Sequence, residues 1–124
     1  MLKPIRIDFV PQERQKYETV GNYGEEPDHI WFEITAMDNP MFSLAILLHE
    51  IYEFYRNQQL GITVKSVDEF DLGPVGSKLD DPGWHPDAPY RIPHSEATVI
   101  ENAAIAMSGN FWPEYEAAIE ALFD

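Results

Sequence analysis

With 124 residues, 44% of them apolar and 24% charged, the chain has the length and make-up of one globular domain, residues 1–124, with a single core. Twenty-two acidic against eight basic side chains leave a net charge of −14. That excludes a dedicated nucleic-acid or anionic-membrane surface, since both need clustered Lys and Arg, and the absence of cysteine excludes disulfides, thiolate metal sites and a cysteine nucleophile.

The first residues, Met1 to Asp8, lack the apolar region of a signal peptide, and the longest apolar run, around Ile46 to Leu48, is too short to span a bilayer, so a cytoplasmic location is expected. From Pro4 to Val10, apolar Ile5, Ile7 and Phe9 alternate with Arg6 and Asp8, the period of a half-buried strand. Gln12 to Glu26 is polar and contains Gly21, Asn22 and Gly24; it reads as a long connection carrying at most a short extended piece around Tyr17 to Val20. His29 to Thr35 is rich in aromatic and β-branched residues and predicts a second strand paired with the first.

Asp38-Asn39-Pro40 predicts a helix start and Gly61 its stop, giving a main helix over 40–60. Ser66 to Glu69 matches a capping box and predicts a short helix through Phe70 and Asp71. From Gly73 to Pro93 five prolines and three glycines interrupt any regular element, yet Trp84, His85 and Tyr90 argue for an ordered loop of functional character. His94 to Ser108 has helical spacing and ends at Gly109, and a last helix over Glu114 to Phe123, capped by Asn110, follows Trp112-Pro113. The expected fold class is therefore α+β: a small antiparallel β ribbon packed on three to four helices.

The main helix carries the chemistry. At about 100° per residue, Leu44, Leu47, Leu48, Ile51, Tyr52, Phe54 and Tyr55 share one broad side, while His49, Glu50, Glu53 and Asn57 share the other. Taken alone, that second side reads as the solvated face of an amphipathic helix. On the later helix, however, His94 and Glu101 return to the same azimuth seven positions apart. Two helices each offering an imidazole and a carboxylate can converge a mixed N/O ligand set suited to zinc, manganese, iron or nickel. Glu50, at the edge of the His49 face, is then placed as a general base for a metal-bound water. Asp71 and His85 are further candidates for the site, and Asp80, Asp81, His85 and Asp87 for a rim or lid; His29 reads as structural.

His49-Glu50-Ile51-x-Glu53, Phe70-Asp71, Asp81-Pro82-Gly83, Ala88-Pro89-Tyr90 and His94-x-x-Ala97-Thr98-x-x-Glu101 together resemble a small family of uncharacterised phage and prophage proteins, over about residues 12–105. The resemblance implies no assigned activity, but it implies that His49, Glu53, His94 and Glu101 occur as one signature. His49-Glu50 is also similar to the start of the H-E-x-x-H helix of zinc peptidases, with Glu53 in place of the second histidine. Glu50-x-x-Glu53 followed by Asp68-x-x-Asp71 resembles the acidic magnesium site of all-α nucleotide pyrophosphohydrolases.

The expectation is thus a phage-related metal-binding protein in which His49, Glu53, His94 and Glu101, the last as fourth ligand or behind another ligand, hold a divalent metal, zinc first, and Glu50 serves a hydrolase of unspecified substrate. Two alternatives stand beside it: a non-catalytic acidic interaction module with a structural metal or none, and a magnesium-dependent pyrophosphohydrolase. Nucleic acid and membrane are not expected partners; Trp31, Trp84, Phe111 and Trp112 offer surface for a homo-oligomer.

Overall fold

The alternating and helical stretches form, in a computed structural model that describes residues 2–15 and 18–123, three strands followed by four helices. These are β1 (Ile5–Val10), β2 (Gly21–Glu25), β3 (Ile30–Thr35), α1 (Pro40–Gln59), α2 (Val64–Asp71), α3 (Arg91–Met107) and α4 (Trp112–Ala121), with single 3-10 turns at Gln12–Arg14, Gly76–Lys78 and Pro82–Trp84. The fold class is α+β, as expected.

The ribbon is not a simple antiparallel pair. The sheet order is β1-β3-β2; β1 runs parallel to β3 with Ile7 beside Phe32, and β2 runs antiparallel to β3 with Tyr23 beside Phe32. The segment after β1 crosses over and returns through β2, which occupies the far side of β3 and leaves β1 only the parallel pairing. The extended piece expected around Tyr17 to Val20 is displaced: the strand is Gly21–Glu25, and Tyr17 lies outside the described residues. Gly21 and Gly24 mark close approach rather than a turn. A Cβ at Gly24 would stand 2.3 Å from the Trp31 ring, and one at Gly21 would stand 2.6 Å from a carboxylate oxygen of Glu50.

α1 begins where proline follows a capping residue: Asn39 Oδ1 accepts from the Met41 amide and Pro40 needs no amide partner. Past its end, Gly61 takes φ +75, and Gly109 takes φ +76 after α3. α2 starts two residues before the expected capping box, because Thr63 caps it by accepting from the Ser66 amide. α4 has no side-chain cap; Asn110 instead accepts from Asn39 Nδ2 and so ties the starts of α1 and α4 together.

One core joins sheet and helices through Tyr23, Phe32 and Phe54, whose rings meet edge to face at 5.5–6.1 Å, and through Phe42 against Tyr115. α1 packs on β2 and β3 on one side and on α3 on the other. This arrangement overturns the expected solvated face. His49, Glu53 and Asn57 are 7%, 4% and 3% exposed, whereas Leu44 on the apolar side is 38% exposed and Leu48, Ile51, Tyr52 and Tyr55 are only partly covered. The polar side of α1 is buried because the sheet and α3 pack against the helix, and Ala45 of α1 and Ala97 of α3 are fully buried. Among the described residues no helix is long and apolar enough to cross a membrane.

Candidate metal centre

The buried polar face needs compensation, because two imidazoles and a carboxylate taken out of water are costly unless they satisfy one another or a cation. One turn of α1 stacks His49 over Glu53, and the first turn of α3 brings in His94. His49 Nε2 lies 3.1 Å from Glu53 Oε2, His94 Nδ1 lies 2.9 Å from the same oxygen, and the two nitrogens are 3.2 Å apart. These three atoms form a buried group that can hold a metal ion. Their spacing is slightly tighter than the edge of about 3.4 Å expected between donors around a tetrahedral ion with bonds of about 2.1 Å.

What surrounds the triangle decides which lone pairs point into it. His49 Nδ1 is 2.7 Å from Glu101 Oε1, and His94 Nε2 is 3.1 Å from Asp81 Oδ1. Neutral imidazoles that donate outward to those two carboxylates necessarily present bare lone pairs at His49 Nε2 and His94 Nδ1. The second oxygen of Glu53, Oε1, is taken by the Tyr23 hydroxyl at 2.8 Å, and Asn57 Nδ2 in turn donates to Tyr23 at 3.1 Å. Three acceptors therefore face one point, each with its other polar atom engaged by a side chain behind it, which is how histidine and carboxylate ligands are oriented around metals.

Charge tells the same story. Burial alone would push the His49 imidazole down, but its bonds to Glu101 and Glu53 outweigh burial and hold its pKa well above the usual value. Burial likewise opposes charge on His94, yet Asp81 and Glu53 bring it up to about 9. For Glu53, burial is overcome by the two histidines and the pKa falls to about 2. Without a cation, then, protons on the imidazoles supply the positive charge that the carboxylate demands.

Glu50 differs from its neighbours. Its side chain lies against Gly21, and burial followed by repulsion from Glu53 raises its pKa to about 8, with His49 and His94 pulling the other way. A partly buried carboxylate raised in this way beside His49 and Glu53 can exchange a proton near neutral pH.

Each expected residue has a definite place. Glu101 reaches the outer nitrogen of His49 rather than the triangle, and the buried Tyr115 of α4 donates to its other oxygen. Asp71 is buried and accepts from the Tyr90 hydroxyl, and the Tyr90 ring stands edge-on to His94 at 5.9 Å. His85 lies outside the triangle: its ring tilts over Phe70 and its Nδ1 accepts from the Asp87 amide. Asp68 and Asp71 do not join Glu50 and Glu53 in a four-acid site; the group among the described residues that could hold a metal ion is His49, Glu53 and His94.

The sequence alone assigns no site role to Tyr23, Tyr115 or Gly83, although a tyrosine buried in an acidic chain needs an acceptor for its hydroxyl, and it places Trp84 in the ordered loop but not against His94. Gly83 and Trp84 press on His94. A Cβ at Gly83 would stand 2.5 Å from the imidazole, and the Trp84 ring meets it edge-on at 5.2 Å. With Asp81, the Asp81-Pro82-Gly83-Trp84 stretch thus fixes His94 from the loop side, and the ordered loop is accounted for. Comparison with protein families, with curated proteins and with solved structures finds no match for this chain.

Proposed function

We propose that the protein is a metal-dependent hydrolase in which His49 Nε2, Glu53 Oε2 and His94 Nδ1 bind one divalent transition ion. The observation that carries the reading is the convergence of three lone pairs whose opposite atoms are held by Glu101, Tyr23 and Asp81. Two nitrogens and one oxygen favour zinc, with manganese, iron or nickel next, and disfavour magnesium, which prefers oxygen ligands and retained water. A divalent ion held by these three residues would supply Lewis acidity for the activation of a water molecule. Glu50 would accept a proton from that water as its oxygen attacks the substrate, and return it to the leaving group. The phage-type resemblance fits the same reading, since His49, Glu53, His94, Glu101 and Asp81 all carry it.

A second reading has one observation in its favour. His49, Glu53 and His94 are all buried and the Trp84 ring packs on His94, as in a structural metal site that ties α1 to α3. Hydrolysis needs the Pro82–Trp84 turn to open, so the two readings separate on turnover. Zinc-loaded protein is offered activated p-nitrophenyl esters and phosphodiesters beside Glu50→Gln. The hydrolase reading expects metal-dependent release of nitrophenol that Glu50→Gln abolishes while metal content is unchanged. Stoichiometric metal without any turnover assigns the ion a structural role.

A further inference from the structure

β1 is an edge strand, and Ile5, Ile7 and Phe9, which share the face of Ile30, Phe32 and Ile34, remain 42%, 40% and 52% exposed because α1 covers β2 and β3 but not β1. Edge strands in monomers are commonly blunted by charge, proline or a bulge. Here three large apolar side chains stand in a row beside an open edge.

The backbone of that edge can be assigned. The carbonyls of Pro4 and Val10 accept from Ile30 and Ala36 on the β3 side. Since strand residues alternate in direction, Pro4, Arg6, Asp8 and Val10 bond inward, and Ile5, Ile7 and Phe9 turn their N–H and C=O groups outward. Among the described residues no backbone partner meets those groups.

We infer that β1 is a homodimer edge: a second copy of this chain pairs antiparallel with it about a twofold axis at Ile7, joining two three-stranded sheets into one of six. The stretch Ile5-Arg6-Ile7-Asp8-Phe9 is self-complementary in that register. Ile7 faces Ile7 of the other copy, and Ile5 faces Phe9; these are the hydrogen-bonded pairs, so the three outward N–H and three outward C=O groups of each strand are all used. Arg6 faces Asp8 of the other copy in the closer, non-hydrogen-bonded pair on the opposite surface. Within one chain these two side chains already bond each other at 2.9 Å, so the dimer turns two local ion pairs into a four-charge array. The twofold axis stands perpendicular to the sheet, so the apolar side chains of both copies meet on one face.

Charge selects this edge in an otherwise repulsive molecule. At a net −14 per chain two copies repel, but the first eight residues hold Lys3 and Arg6 against the single acid Asp8. The aromatic residues Trp31, Trp84, Phe111 and Trp112 form no comparable row: Trp31 lies over Gly24 and Trp112 against Tyr115, which leaves Trp84 and Phe111 exposed on separate elements.

The test is the mass of the full chain in solution by sedimentation velocity over a concentration series, with circular dichroism to confirm folding. Wild type is expected to move from 14.3 kDa to twice that, about 28.6 kDa, and Ile7→Lys, which sets like charges on the axis, to stay monomeric. Arg6→Asp is expected to weaken association about tenfold, and adding Asp8→Arg to restore it. Because the chain has no cysteine, Ile7→Cys can cross-link only to its own copy; Cα atoms about 5.5 Å apart in a hydrogen-bonded pair allow a disulfide. Oxidised Ile7→Cys should give a covalent dimer and Ile5→Cys should not. A wild type that stays at 14.3 kDa throughout overturns the inference, as does a dimer that Ile7→Lys leaves intact and Ile7→Cys does not cross-link.

Discussion

The α1–α3 interface and the β1 edge invert the ordinary distribution of residues in opposite ways. Between the helices, His49, Glu53 and His94 are buried where apolar side chains are the rule, while on β1, Ile5, Ile7 and Phe9 are exposed where polar ones are. Each inversion is costly alone and would be relieved by something that the chain does not itself contain, a cation in one case and a second strand in the other. The contrast lies in how each region is built. The buried cluster is braced from behind by Glu101, Tyr115, Tyr23, Asn57 and Asp81, so its geometry is held rigid. The edge has no such bracing and is specified only by the order of five residues.

The sharpest way to break the contrast is at Glu53. Glu53→Gln leaves two histidines facing a neutral amide, and losing one partner of a buried charged group costs about 3–5 kcal/mol. Urea unfolding of the metal-free protein should show a loss of that size, and zinc should no longer be retained. An effect as small as that of an exposed substitution would mean that the cluster is not buried in solution.

pH acts on the same group with a sign that a metal reverses. His94, at about 9 when folded against about 6.5 when unfolded, stabilises the metal-free protein fully below pH 6.5, and this is lost as pH rises through 9. His49, shifted upward too, adds to the fall, and so does Glu50, whose folded value of about 8 penalises ionisation above the unfolded value of about 4.3. Glu53, lowered to about 2, contributes stability present above pH 4.3 and lost as pH falls through 2. Metal-free protein should therefore be most stable at about pH 4–5, where Glu53 contributes in full and the penalty on Glu50 has barely begun. Zinc requires bare imidazole nitrogens, so its affinity should rise with pH over 6.5–9, where the metal-free curve falls. Melting curves across that window, with and without zinc, should diverge.

Removing the bracing is expected to cost less than removing a ligand. Glu101→Gln and Asp81→Asn keep shape but weaken the hold on His49 and His94, and each should lower zinc affinity by about 10–100-fold in a competition titration. Gly83→Ala should do the same by pushing on the His94 ring. Gly61→Ala is the matched control: its φ of +75 makes alanine unfavourable by about 1 kcal/mol, with nothing within 4 Å of the new methyl, so stability should fall slightly and zinc affinity not at all.

Much of this was legible from local signals. Asn39-Pro40 and Gly61 mark the ends of α1 because a cap, a ring without an amide and a positive φ act within a few residues. The seven-residue spacing of His94 and Glu101 placed a second His-carboxylate face on α3, and His94 does meet His49 and Glu53. What stayed hidden depends on long-range packing. Whether β1 pairs parallel or antiparallel is set by a crossover, and whether the His49 side of α1 is wet or dry is set by what lands on it; helical periodicity alone gave the wrong side to solvent. β2 was masked because Gly21 and Gly24 carry the same letters as a turn, although here they make room for Glu50 and Trp31. Glu101 shared the azimuth of His94 but, two turns further along α3, reaches the far nitrogen of His49 instead of the shared point.

The most direct measurement is the metal content of protein purified without added metal, by plasma mass spectrometry, before and after zinc loading and dialysis, for wild type, His49→Ala and His94→Ala. A buried His49–Glu53–His94 centre predicts one equivalent of a transition ion held by wild type and none by either variant. Wild-type protein that retains no zinc, manganese, iron or nickel, and gains no thermal stability when they are added, would contradict it.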